Sequence, residues 1–136
     1  GKYLMLHRTK KQHDINKDKW IGVGGHAEGT EGPEDCLLRE VKEETGLDIQ
    51  CPVLCGVKQF QTKEDARYVV LFYKTDRFSG TLRSSEEGDV FWIKRSELET
   101  YSLADDFKKM LEVFESSEIS EFYYSKCNGA WKAELL

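Results

Sequence analysis

Glu40, Glu43 and Glu44 stand at intervals of three and one residues, and a fourth acid, Glu31, precedes them by nine. Spaced i, i+3, i+4, the three share one face of a helix. Carboxylates so crowded repel one another unless positive charge sits among them. Arg39 supplies one cation at the edge of that face, four residues before Glu43, and one guanidinium cannot balance three acids. A hard divalent cation bound through oxygen would do so. Just upstream, Gly24 and Gly25 let the backbone turn sharply and expose carbonyls and amides to a ligand.

The elements that must position these groups are written into the same stretch. Pro33 suits the first position of a helix, where no amide partner is needed, and Glu34 and Asp35 follow where the helix dipole favours negative charge. Gly46 can take the left-handed conformation that ends such a helix. Between those stops, Leu37, Leu38, Val41 and Thr45 fall on one side of the helical wheel. A surface helix with an acidic solvated face would account for the carboxylates. It would explain neither the glycines nor the offset of Glu31.

Taken together, Gly25, Glu31, Arg39, Glu40, Val41, Glu43, Glu44, Gly46 and Leu47 form one ordered pattern, which resembles the signature of the Nudix hydrolases with no position missing. The resemblance implies an α/β fold, a Nudix-type α/β/α sandwich with a mixed β-sheet, formed by residues 1–136 as a single domain. It implies Mg²⁺, with Mn²⁺ as the alternative. Glu40 and Glu44 would be the principal ligands, with Glu43 close by and the Gly25 carbonyl in the shell. Glu40 or Glu43 would deprotonate the attacking water. Arg39 would hold the carboxylates in place and Glu31 would fix the loop, both as structural support. Relatives of the MutT type carry a further acidic ligand at the place matched by Glu87, five residues before Trp92. Glu86 competes for that role, and a plain acidic turn is the other reading.

Substrate choice depends on residues outside this signature. The segment Leu103-Ala104-Asp105-Asp106-Phe107 is similar to one in oxidised-purine nucleoside triphosphatases, where an Asp-Asp pair hydrogen-bonds the purine edge. One of two adjacent acids can stay protonated and donate, so Asp105 and Asp106 are expected to bind the base as donor and acceptor. The competing reading is a helix cap. Leu103 replaces the tryptophan that stacks on the base in those enzymes, and Ile21 replaces an asparagine. The resemblance implies a Mg²⁺-dependent nucleoside triphosphate pyrophosphohydrolase of the MutT-like 8-oxo-dGTP diphosphatase type, releasing a monophosphate and pyrophosphate. The alternatives are a Nudix hydrolase of ADP-ribose or a nucleotide sugar, and a non-catalytic nucleotide-binding module. Such modules generally lose acids that this chain has kept.

Length and charge agree with that expectation. A chain of 136 residues is long enough for one domain with a sizeable core. A net charge of −5 argues against nucleic acid as a partner, whereas a small nucleotide can approach an acidic protein whose bound metal reverses the local field. No apolar run approaches the ~20 residues that span a bilayer. No signal peptide is evident, and the chain opens on Gly1, nearly inside a strand, as though its natural start were missing. Cys36, Cys51, Cys55 and Cys127 lack metal-like spacing and read as reduced thiols of a cytoplasmic protein. His26, inside the glycine loop, is assigned no chemistry.

Along the rest of the chain, residues 3–7 read as a strand and residues 8–19 as a basic polar loop that meets either a triphosphate or only water. Residues 49–61 read as extended, with a turn at 63–65. The run YVVLFY at 68–73 is the strongest strand signal and predicts a central strand. A break falls at Ser79-Gly80, a polar loop at 84–88, a strand at 90–93 and a short turn or helix from Ser96. Phe107, Met110, Leu111 and Phe114 predict an amphipathic helix from Asp105 to about Ser116. Residues 122–124 and 131–136, separated by Asn128-Gly129, predict a closing hairpin.

Overall fold

The helix that carries the acids is fixed at both ends by its own sequence. In the computed structural model, which describes residues 1–8, 18–62 and 64–136, this helix spans Pro33–Thr45. Gly32 caps it in an extended conformation with Pro33 at the first turn, and Gly46 ends it at φ 81°, its amide donating to the Lys42 carbonyl at 2.9 Å. Any side chain at position 46 would run into the Thr81 carbonyl oxygen. The buried residues are Cys36, Val41, Glu44 and Thr45; Leu37 and Leu38, expected inside, are only half-buried. Thr45 joins helix to strand: its hydroxyl donates to the Val41 carbonyl at 2.6 Å and accepts the Leu47 amide at 3.1 Å.

Along the chain run β1 (Lys2–His7), β2 (Trp20–Ile21), α1 (Pro33–Thr45), β3 (Leu47–Gln50) and β4 (Val53–Gln61). There follow β5 (Arg67–Lys74), β6 (Arg77–Gly80), β7 (Asp89–Lys94), α2 (Phe107–Glu115), β8 (Glu121–Cys127) and β9 (Ala130–Leu135). Contacts gather them into two compact units, Gly1–Cys51 with Arg77–Asp105, and Pro52–Asp76 with Asp106–Leu136. In the first, β1 lies between β2 and β7, antiparallel to both, and β3 pairs antiparallel with β6. Met5, Leu6, Val41, Leu47, Val90, Ile93 and Leu98 are buried there. Leu98 lies on one 3₁₀ turn at Arg95–Thr100. The pairing of Asp48 with Ser79 and Ile49 with Phe78 puts a strand where a break was expected. All four residues of β6 are exposed, so backbone pairing makes this strand and side-chain pattern does not announce it.

The second unit is a sheet in the order β5-β4-β8-β9, with β4 and β8 parallel and the other pairs antiparallel. The expected mixed sheet is therefore present. The αL residue Cys51, at φ 53°, divides the expected extended stretch 49–61 into β3 and β4. The predicted hairpin forms as β8 and β9, turning through Asn128 and Gly129, both at positive φ as a tight hairpin requires. The run YVVLFY lies on β5, which pairs with β4 alone among the described strands and is an edge, where a central strand was expected. Val70 and Phe72 pack inward, while Val69 and Leu71 stay 53% and 36% exposed. Unbroken apolarity here does not mean burial on both faces. The basic loop at 9–17 and the turn residue Lys63 lie outside the described residues. Among those described, no helix is long and apolar enough to cross a membrane.

The second unit's core is the cluster of Phe72, Val113 and Phe122, with Met110, Phe114 and Leu135 against it. Phe122 has no exposed surface. Its truncation to alanine removes most of an aromatic ring from a site that cannot collapse fully. Phe122→Ala is expected to lower the unfolding free energy by about 3–5 kcal/mol in urea denaturation; a loss below about 1 kcal/mol would contradict this assignment of the core.

Candidate active site

One guanidinium organises the acids of the signature. Arg39 donates from Nε to Glu31 Oε2 at 3.0 Å and from Nη2 to Glu31 Oε1 at 2.6 Å, a two-pronged pair. Its Nη1 donates to Glu40 at 2.8 Å and to Glu43 at 3.2 Å, and Nη2 also reaches the His26 carbonyl at 3.1 Å. Glu31 in turn accepts the Glu28 amide at 2.9 Å, which ties the glycine loop to the helix. Arg39's pKa rises above the ordinary guanidinium value, chiefly through its bonds to Glu31 and then Glu40.

Glu44 sits apart from that hub and is 5% exposed. It accepts the Gly24 amide at 3.2 Å. Burial pushes its pKa up to about 7; the Gly24 hydrogen bond opposes this, the Glu40 and Glu87 carboxylates add to it, and Arg8 pulls it back. Glu40 is the shared member, bonded to Arg39 and facing Glu44. Glu87 lies at the tip of a turn closed between Ser85 and Gly88, its amide donating to the Ser85 hydroxyl at 3.1 Å. It pairs with Arg8 at 3.6 Å and is half-buried, while Glu86 points outward. Arg8, read in the sequence only as the start of a basic loop, thus belongs to this acidic centre.

Among the described residues no three acids, histidines or cysteines are drawn together as a preformed metal cluster. The donor set still fits a hard cation. It consists of carboxylates and the Gly25 carbonyl, all oxygen. A Cβ at Gly25 would collide with the Glu40 carboxylate where it stands, so glycine lets the backbone lie directly against it. Glu44 holds its proton chiefly because it is buried, and the neighbouring Glu40 and Glu87 carboxylates add a repulsion that a cation would relieve.

Asp105 and Asp106 have separate partners. In the first unit Asp105 is exposed and pairs with Lys19 at 2.8 Å. In the second unit Asp106 accepts the Tyr124 hydroxyl at 2.5 Å on Oδ2. Asp106 occupies the cap position of α2 at φ 66°, but its side chain makes no capping hydrogen bond, so the cap reading does not hold for its carboxylate. Tyr124 and Lys58, which faces Asp106 electrostatically, were not singled out from sequence. Lys58 carried a signal: it is the charged residue between Gly56 and Phe60 on one face of β4.

The NUDIX domain model matches residues 1–114, and the chain belongs to that family, the Nudix hydrolases. A CTP pyrophosphohydrolase of Escherichia coli is 30% identical over 115 residues, 84% of this chain and 82% of that protein. The uncharacterized Nudix hydrolase YvcI of Bacillus subtilis is 30% identical over 90 residues, 62% of this chain and only 57% of that relative's length. The crystal structure of a mutator MutT protein from Bacillus halodurans matches with a TM-score of 0.75 at 23% identity, covering 98% of this chain and 89% of that one. The expected mixed α/β Nudix fold is the fold found.

Glu31 is held at about 2, against an ordinary 4.5, first by Arg39 and then by the Glu28 amide. A carboxyl whose pKa is depressed on folding stabilises the protein above its unfolded value and loses that contribution as pH falls through the folded one. The melting temperature is therefore expected to fall more steeply from about pH 4.5 to about pH 2 in the natural protein than in Glu31→Gln. Parallel curves would remove the Glu31–Arg39 pair as a source of acid sensitivity.

Proposed function

We propose that this chain is a Mg²⁺-dependent nucleoside triphosphate pyrophosphohydrolase that releases a monophosphate and pyrophosphate, with oxidised purine nucleotides such as 8-oxo-dGTP as its substrates. The observation that carries the reading is the buried carboxyl of Glu44, set against the Gly24 amide and facing Glu40 and Glu87. Glu40, Glu43, Glu44, Glu87 and the Gly25 carbonyl hold the ion, Mg²⁺ or in its place Mn²⁺. When bound, it offsets the charge on the phosphate oxygens and makes water a better nucleophile.

The chain's own residues do the rest. Glu40 or Glu43 accepts the proton from water as the new P–O bond forms, and the bridging oxygen departs with the other phosphate group. Arg39 sets the angle of both carboxylates through its hydrogen bonds, and Glu31 anchors Arg39 to the loop. Asp105 and Asp106 bind the base. The partner is a small nucleotide in the cytoplasm, with no nucleic acid or membrane. Similarity to a CTP pyrophosphohydrolase supports a second reading, a pyrimidine triphosphate, which leaves the acids' roles unchanged.

Product analysis tests both: 8-oxo-dGTP, dGTP, CTP and ADP-ribose are incubated with Mg²⁺ and the products separated. Preferential conversion of 8-oxo-dGTP to monophosphate and pyrophosphate is expected, and turnover of ADP-ribose alone would discard the triphosphate reading. Glu44→Gln is expected to lower kcat/KM on the order of 10³-fold, the scale of several kcal/mol of lost charge stabilisation, with the melting temperature kept. Activity within tenfold of the natural protein would remove Glu44 from the ligand set.

A further inference from the structure

The second unit contains a charged group that neither the metal chemistry nor the fold requires. Lys58 lies in the middle of β4, paired with Val70 on β5 and Phe122 on β8. Its Nζ sits 5.3 Å from the centre of the Phe122 ring, 5.7 Å from Phe60 and 5.8 Å from Tyr124. Among the described residues it has these three rings and no hydrogen-bond acceptor. Burial lowers its pKa from the ordinary lysine value, and the Asp106 carboxylate works in the opposite direction. Placing an ammonium among rings costs desolvation that apolar packing would avoid; cation–π attraction offsets only part of that.

The surroundings suit a flat, polar-edged ligand. Next to Lys58 on the same strand, Phe60 stacks on Tyr68 with ring centres 5.0 Å apart. On the other side, Tyr124 holds Asp106. Lys58, Phe60, Tyr68, Tyr124 and Asp106 are all half-buried, so solvent reaches this aromatic rim where the core under α2 ends. The group contains a nitrogen that only donates and a carboxylate that can accept, with aromatic faces beside them.

We propose that Lys58 and Asp106 form a donor–acceptor pair that reads a lactam edge, a C=O beside an N–H, on the base of the nucleotide. This rests on the reading above that Asp106 binds the base, and it reassigns the donor: Lys58 takes the part expected of a protonated second aspartic acid. Guanine and hypoxanthine present O6 as acceptor beside N1–H as donor. Adenine presents the reverse, an amino donor beside the N1 acceptor, and would set donor against donor. Oxidation at C8 creates a second lactam, C8=O beside N7–H, which fits the same pair.

The test compares dITP with dATP, which differ at that edge, in Mg²⁺-dependent turnover by the natural protein, Lys58→Met, Lys58→Arg and Asp106→Asn. The natural protein is expected to favour dITP. Lys58→Met is expected to reduce the dITP/dATP ratio of kcat/KM by about tenfold to a hundredfold, through KM more than kcat. Lys58→Arg, which keeps a donor, restores most of the ratio, and Asp106→Asn lowers it. A folded Lys58→Met protein with the natural ratio overturns this inference and leaves the pyrophosphohydrolase reading standing. Equal turnover of the two nucleotides by the natural protein also overturns it. No turnover of any nucleoside triphosphate overturns both.

Discussion

The acidic centre depends on Arg39. Five residues along the signature, from His26 to Glu43, converge on its guanidinium through a backbone carbonyl or a carboxylate. Without that cation, the carboxylates of Glu31, Glu40 and Glu43 would repel one another and turn towards water. Its planar fork matters as much as its charge, because two parallel bonds to Glu31 fix the orientation in which the remaining donor meets Glu40 and Glu43. Arg39 reaches Glu31, Glu40 and Glu43 directly, while Glu44 is held from another direction by the backbone of Gly24. One side of the acid cluster is neutralised in advance and the other is left in excess.

That division is electrostatic in effect. Glu43 remains 60% exposed, while the Glu40 side chain is 15% exposed, so the two candidate bases meet different dielectric environments. The more buried carboxylate responds more strongly to any nearby charge. Arg8 and Glu87 enter the same field from residues far away in sequence. Arg8, Glu31, Arg39, Glu40, Glu43, Glu44 and Glu87 thus share one electrostatic field.

Much of this was legible in the sequence, for reasons that are local. Pro33, Gly46 and the apolar spacing specify α1 through backbone rules that act within a turn or two. The Asn128-Gly129 hairpin is local in the same way, and both formed where expected. The rest depends on pairing across long separations. Strand β6 has no inward side chains to betray it, and the edge position of β5 is settled by which partner β8 takes. The same holds at the sites. Glu31, Arg39, Glu40, Glu43 and Glu44 share one helix and its entry loop, so spacing reveals them, whereas the Lys58–Tyr124–Asp106 grouping joins three elements whose proximity only the sheet creates. Asp105 and Asp106, neighbours in sequence, were read as a pair, and one αL residue sends their carboxylates to different partners.

The outer position of β5 has a colloidal consequence. Among the described strands it has a partner on one side only, and it carries exposed Val69 and Leu71, the combination by which strands from different molecules add to one another. Arg67 and Lys74 stand at its two ends. In a protein of net charge −5, two like charges framing the apolar run act as gatekeepers, because a second copy docking there antiparallel would bring lysine towards arginine. Like charge at both ends of the strand thus works against the pairing that its exposed apolar residues would favour.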